Sequence, residues 1–202
     1  MGKNKTPDSY YTVTSIFRDE IKIKGSAFMG ALLPAQRKAE AENIIEKICK
    51  EFYDATHNCF AYRIDENTFR YSDDGEPSGT AGKPILSMLD KYKRQKVAMV
   101  VTRYFGGTKL GTGGLIRAYS QCAEATIGKS KIIEKTIYQP LRVAYSFKLI
   151  NKVHHLVHKF NARISEDASP HGMNATIEVQ PSRIMQLKEE LIAATAGKIK
   201  IF

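Results

Sequence analysis

The chain has 202 residues, enough for one large domain or two small ones that each bury a core, and its 43% hydrophobic and 26% charged content is that of a globular chain. Its apolar runs are only a few residues long, which excludes a membrane-spanning helix, and the N-terminal MGKNKTPDSY lacks the apolar stretch of a secretory signal. The formal net charge of +10, split as +6 over residues 1–138 and +4 over residues 139–202, fits either a solubilising surface or an affinity for polyanions, RNA and the ribosome first among them.

Gly2 and Thr6 match the short myristoylation pattern, which arises often by chance. Cys49, Cys59 and Cys122 are odd in number and scattered, so a disulfide framework or zinc knuckle is not expected, and a reducing cytoplasm fits best. Each falls in an apolar pattern and reads as a small core residue. His57 shares a strand face with Cys59, but no third group is visible to orient a nucleophile.

In chain order, residues 1–14 read as a polar lead-in, followed by short strands at Glu20–Lys24 and Ala27–Leu33 broken at Gly25–Ser26. Pro34 suits the first turn of a helix over Ala35–Tyr53, where Ala41, Ile44, Ile45, Ile48 and Phe52 form one buried stripe. His57–Ile64 and Thr68–Ser72 are strand-like, Pro84 opens a short helix to about Asp90, and Lys91–Lys96 is a basic turn. Val97–Thr102 is a buried strand, and Leu115, Ala118, Cys122 and Ala125 line a helix starting near Gly114. A domain boundary falls near Gln139. Beyond it the order is strand, helix, strand, strand, helix, strand, with Ser182 as N-cap of the last helix and Gly197 beyond its end; this is a ferredoxin-like βαββαβ sandwich. His154 and His158 are four apart on a helix, but no glutamate completes a zinc motif and a solvated face is the better reading.

More than half of the 14 glycines gather in Ser72–Gly82 (SDDGEPSGTAG) and Val100–Tyr119 (VVTRYFGGTKLGTGGLIRAY). Glycine weakens regular elements, so the clustering marks places where backbone shape or close approach is wanted. In the second segment a buried strand leads through Arg103, Tyr104 and Phe105 into Gly106, Gly107, Lys109, Gly111, Gly113 and Gly114, then a helix carrying Arg117. Glycine N–H groups before a helix N-terminus suit an anion, Arg103 suits a phosphate, and Tyr104 and Phe105 suit a base. The alternative is architectural: glycines that let strand and helix pack closely, with Arg103 paired to an acid. Both nucleotide fingerprints fail, because Thr112 stands where the phosphate-loop lysine belongs and Ile116 where a third Rossmann glycine belongs. In the first segment, Asp73, Asp74 and Glu76, with Gly75 and Ser78, could ligate magnesium, supply an acid and a base, or pair with Arg103 or Arg117 and fasten the two loops; the last is favoured.

These segments, with DATHNCFAYR at Asp54–Arg63, resemble the signature segments of the IMPACT family, also called the YigZ/YvyE family, over the whole chain; one departure is Thr112, where many members carry alanine. The resemblance implies an α+β protein: a ribosomal-protein S5 domain 2-like domain over residues 1–138, then over residues 139–202 a ferredoxin-like domain similar to the fifth domain of elongation factor G. It further implies a link to translational control, since eukaryotic relatives bind a ribosome-associated activator of a stress kinase, an activity that goes with an RWD-type domain not found in this sequence. The expectation is a cytoplasmic, non-enzymatic protein without cofactor, catalytic residue or metal, which binds RNA or the ribosome and modulates translation. Arg103, Tyr104, Lys109, Arg117 and the glycines would form its surface, and Asp73, Asp74 and Glu76 would organise it. The alternatives are a magnesium-dependent enzyme acting on a phosphorylated or nucleotide substrate, and a protein-binding adaptor in translational control.

Overall fold

A computed structural model describes residues 7–202, so the Gly2–Thr6 match lies outside the described residues. The protein is a two-domain α+β chain. One compact unit spans Tyr10–Lys135; the other holds Thr136–Phe202 together with residues 7–9, which places the division three residues before Gln139.

In the first unit the lead-in contains a strand, β1 (Ser9–Val13), whose Thr12 and Val13 are buried. It pairs with β7 (Ile132–Thr136), a segment too mixed in sequence to announce itself. β2 (Phe17–Ile23) and β3 (Ser26–Pro34) form a hairpin whose two turn residues, Lys24 and Gly25, both have positive φ (46° and 83°), as a type I′ turn requires. Pro34 ends β3 rather than opening a helix; α1 (Lys38–Glu51) starts four residues later, where the Glu40 carboxylate accepts the Gln36 N–H.

β4 (His57–Arg63), β5 (Phe69–Ser72) and β6 (Val97–Tyr104) complete an antiparallel sheet of order β2-β3-β6-β4-β5. β6 is central and reads as an unbroken apolar run because both its faces are covered. Ala98 and Val100 meet α1, whereas Val97, Met99 and Val101 meet α2 (Gly82–Lys91) and α3 (Gly111–Lys129). By the same alternation Arg103 lies on the α2/α3 face and Tyr104 on the other. α3 begins at Gly111, three residues earlier than its apolar pattern suggests.

The second unit runs β8 (Gln139–Tyr145), α4 (Ile150–Lys159), β9 (Arg163–Ser169), β10 (Gly172–Val179), α5 (Ile184–Ala194) and β11 (Lys200–Ile201). Its strand order β11-β8-β10-β9, antiparallel throughout, is the ferredoxin-like arrangement. Leu141, Val143 and Ile177 from the sheet pack with Val153 and Leu187 from the helices. The first strand stops at Tyr145, and the chain passes through a 3-10 turn at Phe147–Leu149. Ser182 does not cap α5: it lies in a 3-10 turn, and its hydroxyl donates to Asp8 (2.5 Å). The chain leaves α5 through Ala196 and Gly197, both at positive φ. His154 is not a merely solvated residue, because its Nε2 lies 3.0 Å from both oxygens of Glu166, which also accepts from Tyr145. Among the described residues no helix is long and apolar enough to cross a membrane.

Candidate functional site

The two glycine segments meet at the end of β6. After β5, Asp73–Glu76 makes a tight turn in which Asp74 and Gly75 take positive φ (44° and 85°) and the Glu76 N–H donates to the Asp73 carbonyl (2.9 Å). The three carboxylates then separate. Asp73 accepts the N–H groups of Gly79 (2.8 Å), Ala81 (2.9 Å) and Gly82 (2.8 Å), satisfying the start of α2 from eight residues upstream. Burial alone would raise its pKa, but these three donors hold it below the ordinary aspartate value. Asp74 accepts the Asn58 N–H (2.6 Å), and its carbonyl accepts from His57 Nδ1 (2.7 Å). Neither is placed as a metal-binding pair with Glu76. Ser78 is exposed, and the hydroxyl that closes this segment is that of Thr80, donating to the Pro77 carbonyl (2.6 Å).

Glu76 is the carboxylate that turns inward, and it supplies the expected tie to an arginine. Its Oε1 accepts from Arg103 (2.6 Å), with the two side chains 3% and 6% exposed, and from the Tyr119 hydroxyl (2.8 Å). Arg103 also lies over the rings of Phe28 (5.5 Å) and Phe105 (5.4 Å), and its Nε is buried without a partner. Cys59 Sγ sits 3.3 Å from the Tyr119 hydroxyl and 3.0 Å from the Asp73 carbonyl. Burial pushes its pKa up to about 12, the state of an inert core thiol and not of a nucleophile.

Arg103 is therefore an internal strut rather than a surface group, and Gly106 is architectural. A Cβ on Gly106 would fall 1.9 Å from the Gly25 carbonyl carbon, so here two main chains touch. Tyr104 points to the opposite face of the sheet, where its hydroxyl donates to Asp54 (2.8 Å). Gly107, Gly111 and Gly113 border open space, Gly107 and Gly111 at positive φ (86° and 70°) and Gly113 facing only the Arg117 guanidinium (3.6 Å); Gly114 meets the Leu110 side chain. Lys109 and Arg117 are exposed and, among the described residues, have no acidic partner. The basic turn at Lys91–Lys96 lies at the other end of β6, about 24 Å from its site end. There Lys91 pairs with Glu124 (2.8 Å) and Arg94 lies over Tyr11 and Tyr92.

A cleft of about 390 Å³ opens beside the buried pair. Pro77, Phe105, Leu110 and Leu115 give it apolar walls, His57 and Glu76 contribute polar groups, and Lys109, Gly111 and Thr112 bring the uncapped start of α3 to its edge. His57 and Tyr119 were not named as site members from sequence. The β4–β6 register puts His57 directly opposite Arg103, and the α3 pitch turns Tyr119 inward.

This same region matches the Impact N-terminal domain over residues 24–127. The chain belongs to the IMPACT family. It is 34% identical to the IMPACT family member YvyE of Bacillus subtilis, across 96% of this chain and 90% of that one. It is 41% identical to the IMPACT family member YigZ of Escherichia coli, across 48% of this chain and 50% of that one. A solved structure described as a hypothetical protein superposes with a TM-score of 0.69 at 25% identity, covering 98% of each chain. Within this IMPACT-family chain the matched region contains the buried pair, the cleft and both glycine segments.

Proposed function

We propose that this protein binds RNA or the ribosome, and so modulates translation, as a binding protein and not an enzyme. The supporting observation is the fate of the acidic segment. Asp73 and Asp74 are engaged by main-chain N–H groups and Glu76 by Arg103, so none of them neutralises Lys109, Arg117 or the first turn of α3. These cations, on a chain of net charge +10, offer phosphates an unopposed edge. The contact surface is Lys109, Arg117 and Gly111–Gly114, with Arg103 and Gly106 as the scaffold behind it. The translational role rests on the family resemblance.

The test is binding of a labelled single-stranded RNA, and of isolated ribosomal subunits, across a salt series. Log affinity should fall linearly with log salt, and Lys109→Ala with Arg117→Ala should flatten the RNA slope by about 1.4, at about 0.7 per lost phosphate contact. Absence of binding at about 50 mM salt refutes the reading.

A further inference from the structure

Glu76 has a second, unused oxygen. Oε1 is taken by Arg103 and Tyr119, but Oε2 has no hydrogen-bond partner among the described residues, and Glu76 lines the cleft with a side chain only 3% exposed. His57 Nε2 lies 3.9 Å from it. Nδ1 donates to the Asp74 carbonyl, so in the neutral form of the ring the lone pair is at Nε2. Two acceptors thus face one gap without a donor between them. Neither atom is fully enclosed, so both open on the cleft, where a donor from outside can reach them. One –NH2 nitrogen can stand about 2.9 Å from each and give a hydrogen to both.

The charge balance selects which amine. The Glu76 charge is already met by Arg103 at 2.6 Å, so an ammonium in the gap would face an adjacent guanidinium with no charge left to compensate it. A neutral amino group carries no such penalty. Apolar walls that include Phe105 suit a flat ring, and Lys109 with the uncapped start of α3 suits an anion at the edge. A nucleotide combines these three elements, and a cleft of about 390 Å³ lies in the range that holds a small ligand.

We infer that this cleft holds one unpaired nucleobase bearing an exocyclic amino group (adenine, cytosine or guanine), with its amine between Glu76 Oε2 and His57 Nε2 and its phosphate at Lys109 and the first turn of α3. The inference deepens the RNA-binding reading and rests on it for the identity of the ligand. It sets a base preference that charge alone does not: uracil has no exocyclic amine, and its single ring N–H on that edge can meet at most one of the two acceptors.

The experiment uses the full-length protein, with fluorescence anisotropy on labelled eight-nucleotide A, C and U homopolymers at one salt concentration. A thermal-shift series with AMP, UMP and purine riboside monophosphate runs beside it. The A and C oligomers should bind about tenfold more tightly than U, and AMP should stabilise more than UMP or the amine-free purine. Leu110→Trp, which places an indole in the cleft and leaves Glu76, Arg103, Lys109 and Arg117 unsubstituted, should remove the preference for A and C over U. Equal binding of all three oligomers overturns the base pocket and leaves RNA binding standing. Failure of every oligomer refutes the RNA-binding reading; in that case a stabilisation by AMP over UMP still supports the pocket, and its absence overturns it. Stabilisation by a peptide amine with none by AMP likewise overturns it.

Discussion

Replacing Arg103 with methionine should be among the most damaging single changes in the first unit. Methionine keeps most of the aliphatic volume between Phe28 and Phe105 but leaves the Glu76 carboxylate, 3% exposed, with only the Tyr119 hydroxyl against its charge. Removing one partner of a buried ion pair costs about 3–5 kcal/mol, because the surviving charge stays desolvated. At about 2.1 cal/mol/K per residue, a unit spanning residues 10–135 moves its melting midpoint by about 4 °C per kcal/mol, so the expected drop is about 12–20 °C. The double variant Arg103→Met, Glu76→Gln carries no buried charge and should recover more than half of that loss. With no tryptophan in the chain, scanning calorimetry supported by far-UV circular dichroism is the suitable assay. A cost below about 1 kcal/mol for Arg103→Met, or a double variant as unstable as the sum of the singles, would refute the reasoning.

Asp73→Asn should cost about 0.5–2 kcal/mol through the start of α2. Because the folded pKa of Asp73 is depressed, its contribution is fully present above the unfolded value of about 3.9 and fades as pH falls through the folded one, so wild type and variant should converge in acid denaturation below about pH 4. Gly106→Ala should abolish soluble expression, whereas Gly107→Ala, which meets only open space, should cost about 1–2 kcal/mol from its positive φ alone; similar melting temperatures for the two would contradict the backbone contact. Burial raises the pKa of Cys59 and of Cys122 to about 12, so a native thiol titration at pH 8 should report at most Cys49, and rapid modification of Cys59 would show that the core opens.

The ferredoxin-like order was readable because each of its elements carries a plain periodicity, and β6 was readable because a strand covered on both faces is apolar throughout. The lead-in strand was not: Ser9–Val13 (SYYTV) carries strand-forming residues, but it is short, follows a polar stretch, and pairs with a partner more than a hundred residues later. Pro34 and Ser182 carried correct local chemistry for a helix start, yet strand pairing to Val97 claimed the first and Asp8 the second. At the site, a tie between acidic loop and arginine could be anticipated, but the choice of Glu76 over its neighbours could not. It follows from the Asp74–Gly75 turn, which sends successive side chains in different directions. His57 opposite Arg103 is a matter of register, which no local pattern states.

Gly25 and Gly106 are both exposed to solvent, and exposed positions ordinarily tolerate change. Here tolerance and exposure part company, because the space beside each residue is filled by the main chain of the other, and a main chain cannot repack to make room. In a saturation mutagenesis map the two positions should therefore stand out as forbidden columns on an otherwise permissive surface. A forecast of mutational damage based on burial would misrank them both.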